Sequence, residues 1–366
     1  MYELTNEQRL CFGLPLVEET WEKVTVKPSL YDNYTTVAYL EGNHICKVIL
    51  CAEKEPTDAM YSEFQVDAIL SNDRQMLLPK TAKGKEKLFS SSNLLKYTRL
   101  GMSLQYSRRT LSLVNLTSEE AFYRSDYDGV ILDGFESFIQ WVEEWCKNTE
   151  AKEQTEIERF AENKRIHQKF KEGDFFRFRI NRSLYGYGRI LIDYNQMRKK
   201  NIPFWDMFMG KPLCVAVYHI ATERADVTPE ELQDLLTLPS QMIMDNIFLY
   251  GECRIIGNLP IENDKQDYPI HYGNTISMLE NGVRYQCGKT FISLYSEKEL
   301  FHGFRNGSIG WDLNLSLPIL QRCIEAKSNQ PYWDMYYPYA VNQDLRNPKF
   351  SEELKQIRQQ MGVGRE

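Results

Sequence analysis

Asp174-Phe-Phe-Arg-Phe-Arg-Ile180 and Tyr185-Gly-Tyr-Gly-Arg-Ile-Leu-Ile-Asp193 are the two runs whose reading decides the fold. The first sets arginines in alternation inside an aromatic run. That is the period of two a β-strand imposes, because successive side chains leave on opposite faces. The second feeds glycine–aromatic steps into an apolar strand, and glycine within a strand marks a bulge or a close approach to the backbone. Working outward, Pro212–Ile220 reads as a buried strand. Thr228-Pro-Glu-Glu-Leu reads as a helix start, with Thr228 as N-cap and Pro229 in the first position. Ile247–Ile256 and Arg284–Leu294 read as further strand pairs, and Pro318–Lys327 as a late helix. Strands dominate with helices between them, which predicts a curved, largely antiparallel sheet over residues 171–366.

Upstream, residues 1–132 predict a mixed domain. Thr5–Phe12 is a short helix with Thr5 as its N-cap and Gly13-Leu-Pro15 as its stop. Thr36–Leu40 and His44–Ala52 pair around Glu41-Gly42-Asn43, and Met102–Tyr106 and Thr110–Leu116 around Ser107-Arg108-Arg109. Leu88–Leu95 reads as a helical turn. At Asp133 a strong helical pattern begins. Phe135, Phe138, Ile139, Trp141, Val142 and Trp145 recur on one face, and Asp133 with Glu136 has capping-box spacing. From Asn148 to Lys171 the chain is highly charged, with Ile157 and Phe160 among Glu and Lys, which predicts a solvated continuation. Residues 133–170 are therefore expected as a long connecting helix between the N-terminal domain and the β-rich region 171–366, and the fold class as α+β.

Of the 366 residues, 42% are hydrophobic and 26% charged, enough for two domains that need no disulfide or metal to stay folded. The net charge of −7 argues against nucleic acid, whose phosphates demand clustered Lys and Arg. No run approaches the ~20 apolar residues of a membrane helix, and the first residues carry acids where a secretory signal is apolar. The eight cysteines show no Cys-x-x-Cys spacing. Together these predict a reduced, cytoplasmic protein. The aromatic content, 13% with 22 tyrosines, exceeds what a plain core requires and suits a recognition surface.

Signatures of bond-breaking chemistry are missing. His44, His167, His219, His271 and His302 are scattered, with no His-Glu-x-x-His, and no Gly-x-Ser-x-Gly occurs. Gly186-Tyr-Gly188 is not completed into a dinucleotide fingerprint, because Leu191 stands where the third glycine belongs. Ser240 reads as a cap or turn residue. No catalytic residue, metal ligand or cofactor is assigned. What remains is Tyr185, Tyr187 and Arg189 around the glycine-rich turn, and Trp205 with Asp206 in Pro203-Phe-Trp-Asp206; the Trp-Asp pair recurs at Trp311-Asp312 and Trp333-Asp334. Trp, Tyr and Arg carry most binding hot spots, although a tryptophan more often plugs the edge of a core. Tyr185, Tyr187, Arg189, Trp205 and Asp206 are the candidate protein-binding residues.

Lys171-Glu-Gly-Asp-Phe-Phe-Arg-Phe178 followed by Leu184-Tyr-Gly-Tyr-Gly-Arg-Ile-Leu191 resembles the opening of the immunity protein 26 family. In that family a Gly-Asp-x-Phe strand precedes a Gly-x-Gly-Arg-Val/Ile strand. Pro212-Leu-Cys-Val-Ala-Val-Tyr218 and Tyr250-Gly-Glu-Cys-Arg-Ile-Ile-Gly257 are similar to its later strands. The resemblance implies a bacterial immunity protein of a polymorphic toxin system, a non-catalytic binder that neutralises a cognate toxin protein encoded nearby. The same group carries a phosphotriesterase-like label, so the alternative it implies is a phosphotriester hydrolase. No catalytic residue is carried over from it.

Overall fold

The structure, a computed structural model, describes residues 1–28, 33–54, 58–200, 210–261, 267–274, 283–294, 310–335 and 343–363. The chain forms two compact units, Met1–Ile166 and His167–Glu366. Each combines helices with antiparallel sheet, so the α+β expectation holds. Among the described residues no helix is long and apolar enough to cross a membrane.

The first unit contains β1 (Glu22–Thr25), β2 (Thr35–Glu41), β3 (His44–Ala52), β4 (Met60–Leu70), β5 (Met76–Leu78), β6 (Lys87–Leu88), β7 (Arg99–Ser107), β8 (Thr110–Asn115) and β9 (Glu120–Arg124). Their order is β1-β2-β3-β4-β7-β8-β9, with β5 on β4 and β6 on β5. Both expected hairpins form. Glu41 pairs with His44 across Gly42-Asn43. Ser107 pairs with Thr110 across Arg108 and Arg109, which both take positive φ as a tight two-residue hairpin turn requires. The helix Asn6–Cys11 begins with the Thr5–Gln8 capping box. One sheet face packs Tyr61, Leu104, Tyr106, Leu113 and Phe122 against the helices, and the other buries Ala38, Val48, Leu50, Phe64 and Leu77.

The long connecting helix is not what forms. The segment breaks at Thr149 and Glu150 into Phe135–Asn148 and Ala151–Ala161, and residues 163–171 are not helical. Nor is the second helix simply solvated. Ile157 is fully buried and Phe160 packs against the same core as Phe138, Val142 and Trp145. The physical reason is the i, i+3, i+4 spacing of Ile157, Phe160 and Ala161, which makes an apolar stripe on an otherwise charged helix. Asn115 Nδ2 closes the helix end by donating to the carbonyls of Phe160 (2.9 Å) and Ala161 (3.0 Å). The expected Asp133 cap is also replaced: Gly134 is the N-cap, and Asp133 instead pairs with Arg109 at 2.9 Å.

The second unit contains β10 (Asp174–Arg179), β11 (Tyr185–Asp193), β12 (Pro212–Thr222), β13 (Gln241–Met244), β14 (Cys253–Asn258), β15 (Ile270–Asn274), β16 (Val283–Cys287) and β17 (Thr290–Leu294). The first five form a sheet of order β13-β12-β11-β10-β14, and the last three a separate small sheet, β15-β16-β17. The helix Leu317–Ala326 packs on β12. The helix Ser351–Gln360 places Ile357 among Ile270, Tyr272 and Tyr285 of the small sheet. Thr228 caps as expected, through a capping box with Glu231, but the helix Pro229–Leu232 lasts one turn. Ile247–Ile256 is not a strand pair: Asn246–Leu249 is a helical turn and the strand starts at Cys253.

Candidate interaction surface

The turn into β10 explains the Gly-Asp pair. Gly173 has φ 86°, and a Cβ there would overlap the Leu259 carbonyl oxygen. Asp174 closes the same turn, accepting from the Lys171 amide and from Asn258 Nδ2, both at 2.8 Å. Only a residue without a Cβ fits the first position, and a short acceptor fits the second.

The glycine–aromatic steps of β11 separate into two faces. On one, the rings of Phe178 and Phe176 lie over Gly186 and Gly188, and a Cβ at either glycine would come within 3.0 Å of a ring. The ladder with β12 also shifts register between these glycines. Bulge and close approach therefore both occur where the sequence marked them.

On the other face, arginine and aromatic side chains alternate across the β10–β11 ladder, where Phe175 pairs with Arg189, Arg177 with Tyr187 and Arg179 with Tyr185. The Arg189 guanidinium lies 4.6 Å from the Phe175 ring centre, and Arg179 lies 4.7 Å from that of Tyr185. Phe175 in turn stacks on Tyr218, the rings 5.9 Å apart and nearly parallel.

The five candidate residues do not form one exposed patch. Tyr187 is fully buried, and its hydroxyl donates to the Arg224 carbonyl at 2.6 Å. Burial pushes its pKa up. Arg189 is only 8% exposed and donates to the carbonyls of Leu259 (2.6 Å) and Pro260 (2.8 Å), while its Nε has no partner among the described residues. Tyr187 and Arg189 therefore organise the sheet and are corrected as surface anchors. The cause is the 223–232 segment: Val227 and Leu232 pack over this face and cover it. Tyr185 remains partly exposed at the open end of the ladder and takes a hydrogen bond from Arg179 at 2.7 Å. Trp205 and Asp206 lie outside the described residues. Of the other Trp-Asp pairs, Trp311 is 70% exposed.

Two charge clusters escaped the sequence reading. In the second unit, Arg346 donates to Asp344 (2.7 Å), to Asp267 (3.0 Å) and to the Ser240 carbonyl (2.8 Å). Burial works against that charge, but the two carboxylates outweigh it and raise the Arg346 pKa. Ser240, read as a turn residue, is 2% exposed and donates to the Asp267 carbonyl. In the first unit, Glu63 accepts from Arg9 (2.7 Å), Lys47 (2.5 Å) and the Tyr61 hydroxyl (2.6 Å) with every side chain buried. Burial lowers the Lys47 pKa, opposed by Glu63. Members of each cluster come from distant stretches, so no local spacing announces them. Among the described residues no three His, Cys, Asp or Glu side chains gather where they could hold a metal ion.

Comparison with known protein families gives a match in the second unit. Residues 171–279 match the family model described as Immunity protein 26, and they span the Gly-Asp turn, the glycine–aromatic ladder and the later strands β12 to β14. No curated protein and no solved structure matches. The phosphotriesterase-like side of the resemblance receives no support from this match. Over residues 171–279, through the strands that carry its motifs, the chain is similar to the immunity protein 26 family.

Proposed function

We propose that this protein is an immunity protein that binds a cognate toxin in the cytoplasm of the producing cell and neutralises it by covering its working surface. The observation that carries this reading is the immunity protein 26 match over residues 171–279. The acidic balance of −7 is compatible with a basic partner. Because Tyr187 and Arg189 are internal, the aromatic contacts fall to side chains that reach the surface of the second unit. Tyr185 beside Arg179 and the exposed Trp311 are the anchors the geometry offers. An amphipathic ring of this kind loses apolar area to a partner at low entropic cost, which is why such residues dominate interface energetics.

The deciding experiment is co-expression with the toxin encoded next to this gene. Cells carrying both survive, and cells carrying the toxin alone do not. Tyr185→Ala or Trp311→Ala, with folding verified by circular dichroism, weakens toxin binding by about tenfold or more if either is an anchor. Equal killing with and without this protein rejects the reading.

A further inference from the structure

In the first unit a thiol, an imidazole and a carboxylate stand in line. His44 and Cys46 sit two apart on β3, and Asp67 lies on β4. Both ladders of β3 shift register here and leave Cys46 out: Leu40 and Tyr39 of β2, and Ala68 and Gln65 of β4, oppose Ile45 and Lys47. A bulge of this kind re-aims a side chain. It is also why Ile45 and Val48, three apart, enter the same core. His44 Nε2 lies 3.0 Å from Asp67 Oδ1, and His44 Nδ1 lies 3.4 Å from Cys46 Sγ. An ionised carboxylate only accepts, so Nε2 carries the ring proton and the Nδ1 lone pair faces the thiol. The thiol's other acceptor, the His44 carbonyl, is farther at 3.9 Å. Burial pushes the Cys46 pKa up, opposed by the Glu41 backbone, so the sulfur keeps its proton until a base takes it. The ring is that base, 44% exposed beside a thiol only 9% exposed. A thiol, a base and an orienting carboxylate within hydrogen-bond reach are the parts of an activated nucleophile.

We propose that Cys46 is a modification site, a thiol that His44 activates and Asp67 orients for exchange with a small disulfide. Sγ attacks one sulfur of the disulfide while His44 Nδ1 takes the thiol proton. The new Sγ–S bond forms as the disulfide's S–S bond breaks, and the proton passes from Nδ1 to the departing thiolate. One free thiol leaves and a mixed disulfide stays on Cys46, so the disulfide itself is the oxidant. A small molecule is the class that fits, since the sulfur presents little surface. His44 handles the reacting proton, whereas Asp67 acts through the ring and is a positioning residue. The site lies in the first unit and does not depend on the toxin-binding reading, and its test uses no toxin.

The full-length, reduced protein is treated with bis(2-hydroxyethyl) disulfide, and mixed-disulfide formation at each cysteine is timed by peptide mass. Cys46 is expected to react at least about tenfold faster than Cys11, which is the more exposed, and than Cys51, which is buried in the same strand. His44→Gln keeps the bulk of the ring without the base and slows Cys46 by about tenfold or more. In folded His44→Ala, added imidazole restores the rate, which a merely structural loss would not allow; the glutamine variant stands in if the alanine variant fails to fold. Asp67→Asn slows the reaction and Asp67→Glu recovers it. The proposal is overturned if Cys46 reacts no faster than Cys11, or if His44→Gln or Asp67→Asn reacts at the wild-type rate. A loss in folded His44→Ala that imidazole leaves in place overturns it as well.

Discussion

Gly186 and Gly188 lie under the rings of Phe178 and Phe176, and they differ in what an added methyl group meets. At Gly186 the near neighbours are side chains, Phe178 and Ile180, whereas at Gly188 the Ala216 carbonyl oxygen also stands within 3.0 Å. Alanine at either position overfills the sheet and is expected to cost about 1–3 kcal/mol. The two variants part in their rescue. Phe178→Leu recovers part of the stability lost by Gly186→Ala, while Phe176→Leu does not recover Gly188→Ala, since a backbone oxygen cannot retreat. Urea unfolding midpoints of the four variants check this. The sequence showed that these glycines receive something, because glycine in a strand has few other uses. It did not show that Tyr187 and Arg189, on the opposite face, are covered. A period of two separates the faces without saying which one a later segment will bury.

The helices Phe135–Asn148 and Ala151–Ala161 show the same limit at the level of elements. The apolar face of the first was legible because six large residues hold helical spacing over three turns. The second carries only Ile157, Phe160 and Ala161 among charges, a pattern that suits a solvated helix as well as a docked one until the Gly13 surface it meets is known. Its C-terminal end is tied to the sheet by Asn115, whose carboxamide donates to the Phe160 and Ala161 carbonyls. Asn115→Ala is expected to destabilise the first unit by about 1–3 kcal/mol through the lost bonds to the Phe160 and Ala161 carbonyls. The loss is read from the urea midpoint and from faster exchange in residues 151–161. Exchange unchanged in that helix, together with an unchanged midpoint, would mean the cap is dispensable.

Over the whole chain, the buried charges link stability to pH. The Nε2 of His271 in β15 has no partner among the described residues. Burial, helped by the nearby Arg346 and opposed by Asp344, pushes its pKa down to about 4 from the ordinary 6.5. The folded chain thus keeps this ring neutral while the unfolded chain takes up a proton below about pH 6.5. The unfolded state binds more protons in that window, so stability falls as pH drops from about 6.5 towards 4 and is retained above it. The slope is at most about 1.4 kcal/mol per pH unit. His271→Gln removes this contribution, and urea unfolding of both proteins at about pH 7 and about pH 4.5 measures it. A wild type and variant that lose stability equally between the two would rule it out.

What the sequence determined by itself is what near neighbours along the chain decide: strand alternation in β10, the apolar run of β12, the two hairpin turns, the Thr5 and Thr228 N-caps, and the Gly-Asp and Gly-x-Gly-Arg runs that carry the family pattern. Only the tertiary structure decided that Tyr187 and Arg189 are internal, that Ile157 reaches the core, and that Arg346 reaches back to Ser240 and Asp267. The reason is range. Turns, caps and strand periods are set within a few residues, whereas burial and ion pairing join segments tens of residues apart, and no local spacing records which of them will meet.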